Sequence, residues 1–279
     1  MNEATLLEAI YAAPHDDAPR LVYADFLQEK GDARGEFIAL QFARLRASPT
    51  AKALAREKSL LVRHRRKWTG KLWEAVYQSH ELRFARGFVD DVRLNFRGRD
   101  PRRLAGHPGW STLRTLRGSD PWTHDETFYL HDVFRWLIEW RDCRLGIVAL
   151  MLADDRPRRL ERLAVAEPIL DGRDELTFLP PVKRALVEGR GLPALRHLEL
   201  TVGQKGLAPA AFDWLWATPL GMQLETLILR LWHDQLPPLL PWQKANVVPR
   251  NLQAVQLITR DRGVVLTRAS DEKLRAANP

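Results

Sequence analysis

The segments Leu195-Arg196-His197-Leu198-Glu199-Leu200, Leu224-Glu225-Thr226-Leu227-Ile228-Leu229 and Leu252-Gln253-Ala254-Val255-Gln256-Leu257 share one pattern: aliphatic, two variable residues, aliphatic, one variable residue, aliphatic. In a strand, alternate side chains point to opposite faces, so the aliphatic residues turn inward and the residues between them turn out. The three copies start 29 and 28 residues apart, room for a strand and a helical return in each. The same letters occur earlier at Val89-Asp90-Asp91-Val92-Arg93-Leu94 and at Leu160-Glu161-Arg162-Leu163-Ala164-Val165, and in a degenerate copy, Leu113-Arg114-Thr115-Leu116-Arg117-Gly118. Gaps of 24, 47 and 35 residues separate the starts of these earlier copies, so the array is irregular. Strands that each need a neighbour to cover an aliphatic face predict a parallel sheet built by stacking.

The pattern resembles the strand signature of leucine-rich repeats. It implies an α/β fold: an irregular leucine-rich-repeat-like solenoid with a parallel sheet over residues 86–268, followed by a C-terminal tail at 269–279 that is either a cap or frayed. Within the 47-residue gap, Phe128, Leu130, Val133, Phe134, Leu137 and Trp140 fall at helical spacing, and so do Leu145 to Leu152. Both read as helices. Reading residues 145–150 as a strand instead leaves only 15 residues to the next copy, too few for a helical repeat. Val182 to Val187 and Ala210 to Trp216 read as returning helices, while Pro237, Pro238 and Pro241 predict an extended return.

Outward positions of the strands define a candidate concave face. They are Asp91, Arg93 and Asn95; Thr115 and Arg117; Arg162 and Ala164; His197, Glu199 and Thr201; Thr226, Ile228 and Arg230; Ala254 and Gln256. Solenoids bind macromolecules on such a surface because it is long and already ordered, and the bland alternative is a solvated face without a ligand.

Ahead of the repeats, three short helices are expected in residues 1–48. Leu6, Ile10 and Ala13 give the first, stopped by Pro14. Asp16 or Asp17 caps the second, Pro19 lies in its first turn, and Leu21, Val22, Phe26 and Leu27 form its apolar face. Gly31 ends it, Asp32 caps the third, and Phe37, Ile38, Leu40, Phe42 and Leu45 give that helix its buried side. Arg20, Asp25, Arg34 and Glu36 are expected to pair as a charge network across this small core, or else to form a docking face. The run Pro14-His15-Asp16-Asp17-Ala18-Pro19-Arg20-Leu21-Val22-Tyr23-Ala24-Asp25-Phe26-Leu27, with Gly31-Asp32-Ala33-Arg34-Gly35-Glu36-Phe37-Ile38-Ala39-Leu40-Gln41, resembles the bacterial repeat-companion domain, an N-terminal module that often precedes leucine-rich-type repeats. Phe26 stands where that family commonly has Trp, and Gln28 where it commonly has Glu. The resemblance implies no enzymatic activity.

The chain has 279 residues, 45% of them hydrophobic, and a net charge of +8. The charge is uneven: residues 1–48 carry eight acids against five bases, whereas residues 49–85, read as a basic connecting helix, carry nine bases against three acids. Arg63, Arg65, Arg66 and Lys67 beside Trp68 offer an alternative function as a nucleic-acid patch, phosphates on the cations and a base on the indole. The competing account is a solvated helix docked on the acidic module. Most of the ten tryptophans read as packing residues, Trp232 being the one expected to be exposed.

Common phosphate-binding, zinc-protease and hydrolase motifs are absent. His124, Asp125, Glu126, His131 and Asp132 lack the spacing of a helical zinc site, and the single cysteine, Cys143, reads as a small buried hydrophobe. The expectation is therefore a soluble, cytoplasmic, non-catalytic scaffold, without cofactor, metal or membrane contact, that binds a protein partner on the concave face. An enzyme without a recognisable motif is a third reading.

Overall fold

The computed structural model describes residues 2–76, 78–96, 100–118, 126–154, 156–168, 191–202, 209–231, 236–243, 248–249, 251–268 and 273–276. The chain divides into two units, Met1–Leu116 with Asp120–Trp136, and Arg117–Ser119 with Leu137–Pro279.

In the first unit, polar side chains at helix starts set the helical boundaries. Helix α1 (Glu3–Ala12) begins where the Asn2 side chain accepts the Thr5 N–H at 2.9 Å, and it ends ahead of Pro14. The Ala18 N–H donates to the Asp16 carboxylate at 2.9 Å as α2 (Ala18–Glu29) opens, with Pro19 in its first turn. Gly31, at φ +69°, lets the chain leave α2, and Asp32 caps α3 (Ala33–Arg46) by accepting the Arg34 N–H at 2.8 Å. Helix α4 (Ala51–Thr69) starts from a Thr50 cap.

The buried stripe of α2 differs from the amphipathic expectation. Val22 is exposed, and Arg20, Tyr23, Ala24 and Leu27 face inward. Arg20 is buried because its guanidinium donates to the carbonyls of Pro14 and Asp16 and lies over the Phe88 ring. Burial first, then the nearby Arg86, lowers its pKa to about 10. Tyr23 donates its hydroxyl to Glu3 at 2.8 Å. Leu45 of α3, expected inside, is exposed.

A hairpin, β1 (Leu82–Ala85) and β2 (Phe88–Arg93), packs on these helices. Its turn residues Arg86 and Gly87 both have positive φ, 53° and 85°, the signature of a tight primed turn. Helix α3 grips the turn. Gln41 donates to the Phe84 carbonyl at 3.2 Å and accepts the Gly87 N–H at 2.7 Å, while Arg34 donates to the Gly87 carbonyl from two nitrogens. A side chain on Gly87 would overlap the Ile38 Cγ1. Arg86 pairs with Asp17 at 3.1 Å. The expected network among Arg20, Asp25, Arg34 and Glu36 is thus corrected: Arg20 and Arg34 bond backbone carbonyls, Glu36 takes Arg56 of α4, and Asp25 is exposed. Strand β2 has an antiparallel neighbour, β1, on one side, which the repeat reading does not include; on its other side it neighbours the strand that follows in sequence, and the Arg114 N–H donates to the Asp90 carbonyl at 2.8 Å. A short strand, β3 (Thr115–Arg117), realises the degenerate copy.

In the second unit the repeat pattern is realised as a sheet. Strands β4 (Glu139–Cys143), β5 (Arg162–Pro168), β6 (His197–Val202), β7 (Thr226–Leu231) and β8 (Ala254–Ile258) pair in parallel, each with the next. Strands β9 (Gly263–Arg268) and β10 (Leu274–Ala276) continue it antiparallel. The inward residues stack in three rows: Leu160, Leu195, Leu224 and Leu252; Leu163, Leu198, Leu227 and Val255; Val165, Leu200, Leu229 and Leu257. None is more than 4% exposed. Each such side chain contributes about 2 kcal/mol by leaving water. The residue before each strand repeats one bond: Glu161, Arg196 and Glu225 each accept the two N–H groups that open the next strand.

Strand β4 corrects the reading of the 47-residue gap. Residues 126–134 form two short turns of 3-10 helix, Glu126–Leu130 and Asp132–Phe134, and Trp140 is a buried strand residue, not part of a helix. Ile138 accepts the N–H groups of Glu161 and Arg162, the bond that marks the start of a copy. A copy therefore begins at Leu137, and the gap splits into spacings of 24 and 23 residues. Leu145 to Leu152 is helical, in α5 (Leu145–Ala153), as expected. At its end, burial would raise the Asp154 pKa, but hydrogen bonds from Arg156 and Arg158 outweigh it and hold the carboxyl at about 2.

Between the later strands lie a 3-10 turn (Pro209–Phe212) with α6 (Asp213–Trp216), then α7 (Pro219–Gln223), and a short helix, α8 (Leu240–Gln243), where an extended return was expected. Residues 182–187 lie outside the described residues.

Candidate functional site

The register of the second unit sets the outward side chains in rows across the strands. One row runs Glu139, Arg162, His197, Thr226 and Ala254, and the next runs Ala164, Glu199, Ile228 and Gln256. Arg230 follows on β7, beside Thr201 and Ile258. Thr201 corrects its expected exposure: its hydroxyl donates to the Val165 carbonyl at 3.0 Å and the residue is buried, next to the register shift in β5 after Ala164.

A second irregularity creates a pronounced feature of this face. Trp140 pairs with Leu163 and Cys143 with Val165, so Arg141 and Asp142 together oppose the single residue Ala164. This is a β-bulge, and Asp142 adopts a left-handed backbone at φ +56° to make it. Both bulge residues are exposed. Ala164 has no side chain beyond Cβ, while the residues around it are long. The result is a pocket of about 380 Å³ centred over β4 to β7, in the size range of small-ligand sites.

The charges around the pocket are mostly paired. Arg230 sets two nitrogens on one oxygen of Glu199, with Nε and Nη2 each at 2.7 Å, and Arg141 Nε meets Glu139 at 2.7 Å. Among the described residues Arg162 has one long ion-pair contact, 4.0 Å, with Glu161. Asp142 carries no ion pair among the described residues. Sequence reasoning found Arg162, Ala164, His197, Glu199, Thr226, Ile228, Arg230 and Gln256, and it missed Glu139, Arg141 and Asp142. The available signal was Leu137-Ile138-Glu139-Trp140 at the middle of the long gap, obscured by Trp in an aliphatic position and by the extra bulge residue.

Asp91, Arg93, Asn95 and Thr115 of the expected concave set belong to the first unit, and Arg117 to the second. There Asp91 meets Arg83 at 3.8 Å and Arg93 meets Glu81 at 3.6 Å.

The basic segment sits on α4, and two of its cations, Arg56 and Lys67, pair with carboxylates of α3 and its cap. Arg56 makes a two-point pair with Glu36 at 2.6 and 2.7 Å, Lys67 meets Asp32 at 3.6 Å and Arg44 meets Glu57 at 3.5 Å. Trp68 is buried, stacked on Phe37 at 4.8 Å and on His64 at 5.2 Å, so the indole proposed for base stacking is not presented. Arg63 and Arg66 are exposed, and Arg65 is half-buried. Of the residues considered as metal ligands, His131 uses Nδ1 to accept the Val133 N–H at 3.4 Å, while 124 and 125 lie outside the described residues. Among the described residues no three His, Cys, Asp or Glu side chains gather to hold a metal, and Cys143 is fully buried. Position 232 also lies outside them.

No family model, no curated protein and no solved structure matches this chain. Among the described residues no helix is long and apolar enough to cross a membrane.

Proposed function

We propose that this chain is a non-catalytic interaction scaffold: a repeat-companion module followed by a leucine-rich-repeat-like solenoid that holds a protein partner on its outward sheet face. The observation that carries this reading is the stacking of the repeat strands in register. Buried aliphatic rows fix the backbone, so the outward rows from Glu139 to Gln256 are ordered before any partner arrives. A preordered surface loses little conformational freedom on binding, which favours affinity per unit area. The pocket at Ala164 adds a recess to this face, a place to anchor one partner side chain. The burial of Trp68 and the pairing of Lys67 weigh against the alternative, nucleic-acid binding by residues 63–67.

Affinity capture from the host lysate tests this, with and without nuclease and across a salt series. The wild-type chain should retain a few proteins after nuclease treatment. The combined reversal Arg162→Glu, Glu199→Arg and Arg230→Glu should lose them while keeping the wild-type circular dichroism spectrum and melting temperature. Unchanged capture by the variant overturns the proposal. Capture that collapses with nuclease and falls steeply with salt transfers the function to the basic helix.

A further inference from the structure

Resting on that reading, the charges around the Ala164 pocket define what the partner must present. Glu139, Arg141, Glu199 and Arg230 satisfy one another in two short ion pairs. Two charged groups remain for a ligand. Arg162 is exposed, its one ion pair among the described residues being the long 4.0 Å contact with Glu161, and His197 stands directly across from it on β6. Asp142 is exposed on the bulge, one strand away and displaced toward the next row. Diagonal neighbours on adjacent strands are about 7 to 8 Å apart. The small, apolar Ala164 lies across from Asp142 and two residues past Arg162, with Ile228 two strands further along its row.

We propose that this pocket recognises a dipolar peptide element: an extended segment of the partner protein carrying one acidic and one basic side chain two positions apart. Residues i and i+2 of an extended chain project to the same side and are about 7 Å apart, comparable with the spacing expected for diagonal neighbours such as Arg162 and Asp142. The partner's carboxylate meets the Arg162 guanidinium, whose planar fork suits it, and the partner's cation meets Asp142. The residue between them faces away, and the segment's backbone passes over Ala164. A purely acidic segment would bring a second carboxylate against Asp142, and a purely basic one a second cation against Arg162. Both are disfavoured by like-charge contact.

Selection from a displayed library of random extended peptides on the immobilised full-length chain tests the proposal, followed by fluorescence anisotropy with the selected peptide. The wild-type chain should enrich an acidic and a basic residue two positions apart. Arg162→Gln should erase the acidic preference alone. Asp142→Asn, which keeps a residue tolerant of the left-handed backbone, should erase the basic preference alone. Each should weaken binding about tenfold, and Ala164→Trp, which fills the recess from the solvent side, should abolish it. Peptides enriched on the wild type and lost on Ala164→Trp, but without paired opposite charges, overturn the dipolar inference and leave the sheet-face scaffold standing. No enrichment overturns the inference as well, and the lysate capture then decides the scaffold separately. Enrichment unaffected by Ala164→Trp overturns the pocket as the site.

Discussion

Gly87→Ala separates the structural account of the N-terminal unit from any account based on helix packing alone. The turn residue sits at φ +85°, where an L side chain costs about 1 kcal/mol or slightly more. Its new Cβ would overlap Ile38 Cγ1, and Ile38 is fully buried with no room to withdraw. Overpacking of that kind costs about 1 to 3 kcal/mol. The sum, about 3 kcal/mol, corresponds to a fall of about 10 °C in the melting transition of the helical unit. Thermal and urea unfolding, followed by far-ultraviolet circular dichroism and tryptophan fluorescence, would measure it. Ile38→Ala removes the overlapping atom, so in that background Gly87→Ala should cost only the backbone share, about 1 kcal/mol. A single-variant cost under about 0.5 kcal/mol, or strictly additive effects in the double variant, would refute the gripped turn.

Leu229→Ala on β7, fully buried between Leu200 and Leu257, should destabilise by about 3 kcal/mol, whereas its neighbour Ile228→Ala, on the outward face, should cost under about 1 kcal/mol; equal costs in urea melts would contradict the alternation. Asp154 titrates at about 2 in the folded chain, below the ordinary carboxylate value of 3.8, so its contribution to stability is complete above about pH 4 and is lost as the pH falls through 2. Comparing acid unfolding of wild type and Asp154→Asn should show a gap of about 2 kcal/mol at most, closing between pH 4 and 2; a gap constant with pH would refute this. On α4, Trp68→Ala should cost about 3 kcal/mol, while Arg63→Ala with Arg66→Ala should change stability by under about 0.5 kcal/mol. The arginine double variant should also leave retention of single-stranded nucleic acid in filter binding unchanged; a marked loss would reinstate the nucleic-acid reading.

The second unit was legible where its residues obey one simple rule. Leu195, Leu198 and Leu200 and their counterparts alternate cleanly because a parallel strand covered by helical returns has no reason to mix its faces. Strand β4 was hidden because Trp140 and Cys143 take the places of leucines and a bulge shifts Cys143 by one position. A bulge is a decision of the backbone, made by Asp142 accepting a left-handed conformation, and no letter pattern announces it. The Asp142 side of the pocket was hidden with it. In the first unit Pro14 and Gly31 as stops and Asp32 as the cap of α3 were legible, whereas the caps at Asn2 and Thr50 were not, and the buried face of α2 did not follow from hydropathy. Arg20 goes inside because carbonyls at 14 and 16 accept from its Nη1 and the Phe88 ring lies under its guanidinium, and those partners exist only once the chain has folded around it. Gln41 is a similar case: a polar residue in mid-helix reads as exposed until the hairpin turn supplies its partners.

The central claim is that a partner sits on the outward sheet face of the repeat strands. Photo-crosslinking in the host tests it most directly, with p-benzoylphenylalanine placed once at Ile228, in the row beyond Ala164, and once at Arg63 on α4. The account predicts a discrete protein adduct from position 228 and none from position 63. Adducts from position 63 alone, whether to protein or to nucleic acid, would contradict it.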